Sequence, residues 1–212
     1  MSRIFKIHKD YCDIGCNIYK YNELTLEPGV TVLVGCNGMG KTTLLHQLEA
    51  SLKKEEIPVF KFDNLAEGGS RARSKFGFHQ NFELLATALC SSEGENIVIN
   101  MGQTAGAIGA FTREYKDSPE LWILFDAIDS GLSVDNVVDI KEYLFKTIFE
   151  HNKDKDVYIV VSANEYELAR GENCLDVYSG KIMQFKDYED YRSFILKSKA
   201  QKDKRKYKER KR

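Results

Sequence analysis

The sequence predicts an α/β domain: a mainly parallel sheet flanked by helices, with a small antiparallel β layer beside it. Three observations carry this expectation. Apolar, β-branched runs of strand length alternate with helical patterns along most of the chain. Two of those runs, 30–34 and 121–125, are almost wholly apolar, as strands covered on both faces of a parallel sheet must be. The first breaks directly into Gly35-Cys36-Asn37-Gly38-Met39-Gly40-Lys41-Thr42, the G-x-x-x-x-G-K-T pattern with a strand before it and a helix after it.

Taken in order, residues 3–9 alternate apolar and polar, and a second strand-like stretch covers about 16–26 before a turn at Glu27-Pro28-Gly29. These two form the expected antiparallel layer. Strand 30–34 feeds the glycine loop, a helix spans about 41–53, and a short strand covers 58–62. Residues 63–79 are rich in glycine and serine and predict a loop, and 80–90 predicts a short helix. The next helix, about 95–115, sets Met101, Ala105, Ile108 and Phe111 on one face. Its Gly102, Gly106 and Gly109 allow another backbone to approach, and Asn100, Gln103 and Thr104 rule out a membrane G-x-x-x-G signal. Asp117-Ser118-Pro119 stops that helix. Strand 121–125 ends at Asp126, and a helix from 133 to about 151 carries Val134, Val137, Val138, Tyr143, Leu144 and Ile148. Strand 157–161, a hairpin of 174–178 and 181–185 about Ser179-Gly180, and a last helix follow, with no internal repeat.

Length and composition narrow the class. At 212 residues the chain suits one domain with a real core. No stretch approaches the roughly 18 apolar residues of a membrane span, and Met1-Ser2-Arg3-Ile4-Phe5-Lys6 lacks the apolar segment of a signal peptide. The five cysteines, 12, 16, 36, 90 and 174, are scattered and form no zinc spacing, which predicts reduced thiols in a cytoplasmic protein with no membrane partner. The net charge of −1 hides an asymmetry: residues 197–212 carry +8 and the rest carries −9. Such a tail is either a solvated, disordered end or a contact to nucleic acid or an acidic partner.

The glycine loop has a specific chemistry. Its glycines let the backbone turn tightly so that successive N–H groups face a polyphosphate, and a helix opening at Gly40 adds its dipole. Lys41 is placed to reach the β- and γ-phosphates and the Thr42 hydroxyl to ligate Mg²⁺. Asn37, Gly38, Met39, Gly40 and Thr43 complete the nucleotide contacts. The plain alternative, a glycine-rich turn with a chance lysine, leaves the flanking strand and helix unexplained. The expected ligands are a nucleoside triphosphate and Mg²⁺. Asp126, at the end of strand 121–125, sits where a Walker B aspartate holds Mg²⁺ through water; its plain alternative is to cap a turn.

The segment Asp126-Ala127-Ile128-Asp129-Ser130-Gly131-Leu132-Ser133-Val134-Asp135 resembles the Walker B and D-loop region of ABC-type ATPases. Ser91-Ser92-Glu93-Gly94-Glu95 is similar to their signature, with Glu93 where glycine is usual, and Ser92 with Glu95 also makes a capping box. Gln80, 39 positions after Lys41, resembles the Q-loop glutamine, a Mg²⁺ and water ligand, with Gln103 as a rival. The resemblance covers about residues 1–190. It implies a P-loop NTPase fold of ABC ATPase type over 1–196, with a basic tail, 197–212, expected to be disordered. Ser92 follows Lys41 by 51 positions, which leaves no room for the helical subdomain of transporter ATPases or for a long coiled coil. The pattern is closest to compact SMC-like and DNA-repair or phage-associated heads. In these, ATP clamps two copies face to face, Ser92 and Gly94 of one facing the phosphate held by the other.

Two departures bear on hydrolysis. Ala127 stands where the family places the glutamate that polarises the attacking water. After strand 157–161, Ser162-Ala163-Asn164-Glu165 puts Ala163 or Asn164 at the switch-histidine position. Loss of a water-positioning base typically costs a factor of about 10²–10⁴ and leaves Mg-ATP binding intact. Asp129 is the alternative base, its other role being to shape the turn into Ser130-Gly131. Ala127 is either a natural loss or a substitution that traps the bound state. For adenine stacking the candidates are Tyr11, Tyr19 and Tyr21, against simple packing; Arg71 and Arg73 either reach a phosphate or are solvated. The leading expectation is an ATP hydrolase subunit that forms an ATP-dependent homodimer and works with DNA or a nuclease-type partner. Its rival is a non-hydrolysing ATP sensor. A transporter ATPase lacks its helical insert here, and a small-molecule kinase gives no reason for Ser130-Gly131-Leu132.

Overall fold

The computed structural model describes residues 2–9, 17–63 and 93–209. Two short strands open the chain. β1 (Arg3–Lys6) and β2 (Glu23–Leu26) pair antiparallel, with Phe5 opposite Leu24, as the alternating pattern requires. β3 (Gly29–Val34) follows, then α1 (Lys41–Lys54), β4 (Val59–Asp63), α2 (Glu93–Glu114) and β5 (Glu120–Asp126). A long helical segment comes next: α3 (Val134–Asp139), a π-helical turn over Ile140–Phe145, and α4 (Lys146–His151). The chain ends with β6 (Asp156–Ser162), α5 (Tyr166–Ala169), β7 (Asn173–Asp176), β8 (Ile182–Met183) and α6 (Tyr188–Glu209).

The main sheet has six strands in the order β4-β5-β6-β3-β7-β8, all parallel except the closing β7-β8 pair. β6 therefore lies between β3 and β5. Side chains alternate across it. Val32, Val34, Ile123, Phe125, Val157, Ile159 and Val161 enter one apolar cluster with Ile108, Val137, Phe145, Ile148 and Leu168. Leu33, Trp122, Leu124, Tyr158 and Val160 enter the other, with Leu44, Leu45, Leu48 and Leu52 of α1 and with Phe5, Leu24 and Leu26 of the small sheet. Trp122 stacks flat on Tyr158, ring centres 3.9 Å apart, and meets Phe5 edge-on. That burial pushes the Tyr158 phenol up to about 12. The buried Gln47 of α1 ties the small sheet in place, accepting from the His8 N–H at 2.8 Å and donating to its carbonyl at 3.1 Å. A parallel sheet covered on both faces is what the unbroken apolar runs required.

Three expectations are corrected. The tail expected to be disordered from 197 is instead the continuation of α6, helical to Glu209, so the 196/197 boundary falls inside one element. The helix expected from 133 to 151 does not bury its whole apolar stripe: Val134 and Tyr143 are 57% and 67% exposed. The π-helical turn accounts for Tyr143, which lies within it, and not for Val134, which opens α3 ahead of it. Ile140 and Phe145, both buried, stand five apart, a spacing that a π turn brings onto one face and a regular α-helix separates. The hairpin is shorter than expected, with only Cys174 and Leu175 paired to Met183 and Ile182. Predicted segments 63–79 and 80–90 lie almost entirely outside the described residues.

Candidate functional site

Because β3, β5 and β6 run parallel and side by side, their C-terminal ends deliver three loops to one edge. This is where open α/β sheets hold their ligands. β3 ends at Val34, and the chain passes through Gly35 to Gly40 into α1. Gly40 has φ +103°, which L side chains rarely adopt, and a Cβ there would lie 2.6 Å from Ile18 Cγ2. Only glycine lets the backbone turn into the helix at that point. Met39 is buried beneath the loop and donates its N–H to the Cys36 carbonyl at 3.1 Å, whereas Asn37 and Gly38 are exposed at its tip. Thr43 follows, half-buried in the first turn of α1.

Lys41, 9% exposed, folds back over the loop. Its ammonium donates to the Gly35 carbonyl at 2.8 Å and to Asn164 Oδ1 at 3.1 Å. Burial lowers the Lys41 pKa, and the Lys202 ammonium pushes the same way. Asp129, Cys36 and Asp126 oppose the shift. The Thr42 hydroxyl donates to Asp126 Oδ1 at 3.1 Å, bringing the first turn of α1 to the end of β5. Ser162, at the end of the intervening β6, donates to the same oxygen at 2.6 Å and accepts the Ala127 N–H at 2.8 Å. Asp126 Oδ2 is buried with no hydrogen-bond partner. A hard carboxylate oxygen left free beside a hydroxyl suits Mg²⁺, which takes one or two protein oxygens and completes its shell with phosphates and water. Among the described residues no cluster of three or more His, Cys, Asp or Glu could hold a metal by itself.

The residues after Asp126 wrap round the same edge. Ala127 has φ +52°, in the left-handed region, and its carbonyl accepts the Ser130 N–H at 3.0 Å. Asp129 is 3% exposed. Its Oδ2 accepts the N–H groups of Asn164 and Glu165 at 2.5 and 2.6 Å, while Oδ1 is buried and unpartnered. Burial raises the Asp129 pKa against the pull of those two N–H groups and of Lys41. The Asp129 carboxylate is therefore the brace between the turn after β5 and the segment after β6. Asn164 reaches Lys41 because that brace holds its backbone.

Of the candidates, Lys41, Thr42, Asp126, Ala127, Asp129 and Asn164 come together at one edge. Ser92 and Gln80 lie outside the described residues, as do Tyr11, Arg71 and Arg73. Gly94 falls in the first turn of α2. Tyr19 and Tyr21 take the packing alternative. Tyr19 is buried and donates its hydroxyl to the Gly40 carbonyl at 2.8 Å, and Tyr21 donates to the Val177 carbonyl at 3.1 Å. The sequence reading missed Ser162 and the whole contribution of α6. Tyr191 donates to the Asn164 carbonyl at 2.7 Å, Ser198 Oγ accepts the Cys36 N–H at 3.1 Å, and Lys202 donates to the Asn37 carbonyl at 2.7 Å. A polar residue closing an apolar strand was the available signal for Ser162. None marked the helix, whose charge pattern reads as solvated.

Fold and site together define an α/β protein compatible with a phosphate-loop fold. No protein-family model and no curated protein matches the chain.

Proposed function

We propose that the chain is an ATP-binding protein of the ABC, SMC-like type that dimerises head to head around two Mg-ATP. Its work would be mechanical or regulatory, alongside DNA or a nuclease-type partner. The observation that supports this best is the convergence of Lys41, Thr42 and Asp126 from α1 and β5, with Asp126 Oδ2 left without a hydrogen-bond partner. In this reading the loop N–H groups and Lys41 bind and orient the β- and γ-phosphates, and Thr42 with Asp126 holds magnesium. Magnesium, when bound, bridges phosphate oxygens and offsets their charge. In this reading the second copy contributes Ser92 together with Gly94 of its α2, a helix whose terminal amides and dipole favour an anion.

A second reading, a non-hydrolysing ATP sensor, is favoured by a specific observation. Ala127 offers no proton acceptor, and its N–H is committed to Ser162. Asp129 Oδ2 is committed to the Asn164 and Glu165 N–H groups, and its unpartnered Oδ1 is buried away from solvent. Both readings require Mg-ATP binding and differ in turnover. Size measurement by light scattering with and without Mg-ATP tests the first. The parent is expected to double in mass, and Lys41→Ala and Ser92→Arg to stay monomeric. A monomer at saturating Mg-ATP would sink the dimer. Phosphate release well below one per minute with tight binding would favour the sensor.

A further inference from the structure

α6 presents a single stripe to the site. Tyr191, Ser198 and Lys202 are seven and four positions apart, which places all three within about 40° of one line along the helix. Tyr191 and Ser198 are each 5% exposed. Through this stripe one helix touches both walls of the site: the segment after β6 through Asn164, and the loop through Cys36 and Asn37.

Lys202 stands apart from the other two. It lies half-exposed over the loop tip, where a Cβ on Gly38 would sit 3.9 Å from its Cδ and 4.0 Å from its Nζ. Two ammonium groups thus converge on one loop, each on a backbone carbonyl: Lys41 on Gly35 and Lys202 on Asn37. Among the described residues, neither is ion-paired to a carboxylate. Two like charges at one loop disfavour each other, and an anion drawn between them removes that cost and gains two charge-assisted contacts. Asn37 and Gly38, beside Lys202, are exposed and open to a ligand.

We propose that Lys202 is a second phosphate-binding cation of the loop, leaving the Asn37 carbonyl for a phosphate oxygen of a bound nucleotide. This rests on the phosphate-loop reading above. Ser198 and Tyr191 fix the helix, and Lys202 is the part of the stripe that reaches the ligand. The ligand-contacting set therefore gains Lys202 alone from α6, and Ser198 and Tyr191 stay outside it as supports of the helix.

The test is Mg-ATP affinity by titration calorimetry at several salt concentrations, for the parent, Lys202→Gln, Lys202→Arg and Ser198→Ala. Thermal melting establishes that each is folded, and a half-exposed lysine is a mild site for substitution. Lys202→Gln should bind Mg-ATP about tenfold or more weakly and with a shallower salt dependence, as removal of one charged group from the phosphate requires. Lys202→Arg should stay within about threefold of the parent, as should Ser198→Ala, which removes a helix–loop hydrogen bond without removing charge. Parent-like binding by Lys202→Gln overturns the proposal. So does an equal weakening in Ser198→Ala, which would make α6 a brace only. If the parent itself fails to bind Mg-ATP, the phosphate-loop reading falls and takes this inference with it.

Discussion

Asp126 is 2% exposed, and its two oxygens are treated differently: Oδ1 takes the hydroxyls of Thr42 and Ser162, and Oδ2 takes nothing. A buried acceptor left unpaired costs about 1–3 kcal/mol, a strain that a functional site tolerates because its ligand relieves it. Asp126→Asn keeps an acceptor for the two hydroxyls and removes the charge. Its unliganded melting temperature is expected to equal or exceed the parent's. Mg²⁺ should raise the melting temperature of the ATP-bound parent and add nothing to ATP alone in the variant; an equal Mg²⁺ increment in both would remove Asp126 from the metal site. Ala127 makes the complementary case. If the proposed ATPase reading holds, placing a carboxylate there by Ala127→Glu should raise phosphate release by a factor of about 10²–10⁴. Holding a longer side chain at φ +52° is expected to cost at most about 1–2 kcal/mol of stability. Unchanged turnover in a folded variant would mean that the catalytic position lies elsewhere.

Elements were legible where a single period governs them. The run Leu121 to Phe125 and its counterpart in β6 became central strands because every residue has a buried face to occupy. The glycine loop declared itself because Gly40 must adopt a backbone that other residues rarely reach. What escaped was decided by partners far apart in sequence. Ser162 acquires its role only because β6 inserts between β3 and β5, which sets the end of one strand beside Asp126 of another. Asp129, weighed as a base or a turn former, became the brace for 164–165 for the same reason. In α6, Lys197 and Lys199 are exposed while Ser198 between them is buried against the loop, so local charge pointed away from the contact. The π-helical turn misled in another way, shifting the apolar stripe after Ile140 so that Tyr143 faces outward.

For the whole molecule, the charge asymmetry takes on a different meaning once α6 is seen to cross it. The +8 of residues 197–212 is not one disordered appendage. Its first part carries Ser198 and Lys202 against the loop, and the remaining basic residues, from Lys204 onward, continue beyond that point. Deleting 197–212 would therefore remove two hydrogen bonds to the loop together with any nucleic-acid contact and confound them. Replacing Lys204, Arg205, Lys206 and Lys208 by Gln separates the two, because glutamine keeps a helix-favouring side chain and leaves Ser198 and Lys202 in place. If the proposed DNA contact runs through these residues, the slope of log affinity against log salt should fall in magnitude by about 3–4, near 0.9 for each phosphate no longer neutralised. Mg-ATP affinity at fixed salt should stay within about twofold. An unchanged slope would remove these four residues from the DNA contact. A matching fall in Mg-ATP affinity would instead extend the nucleotide site along α6 past Lys202.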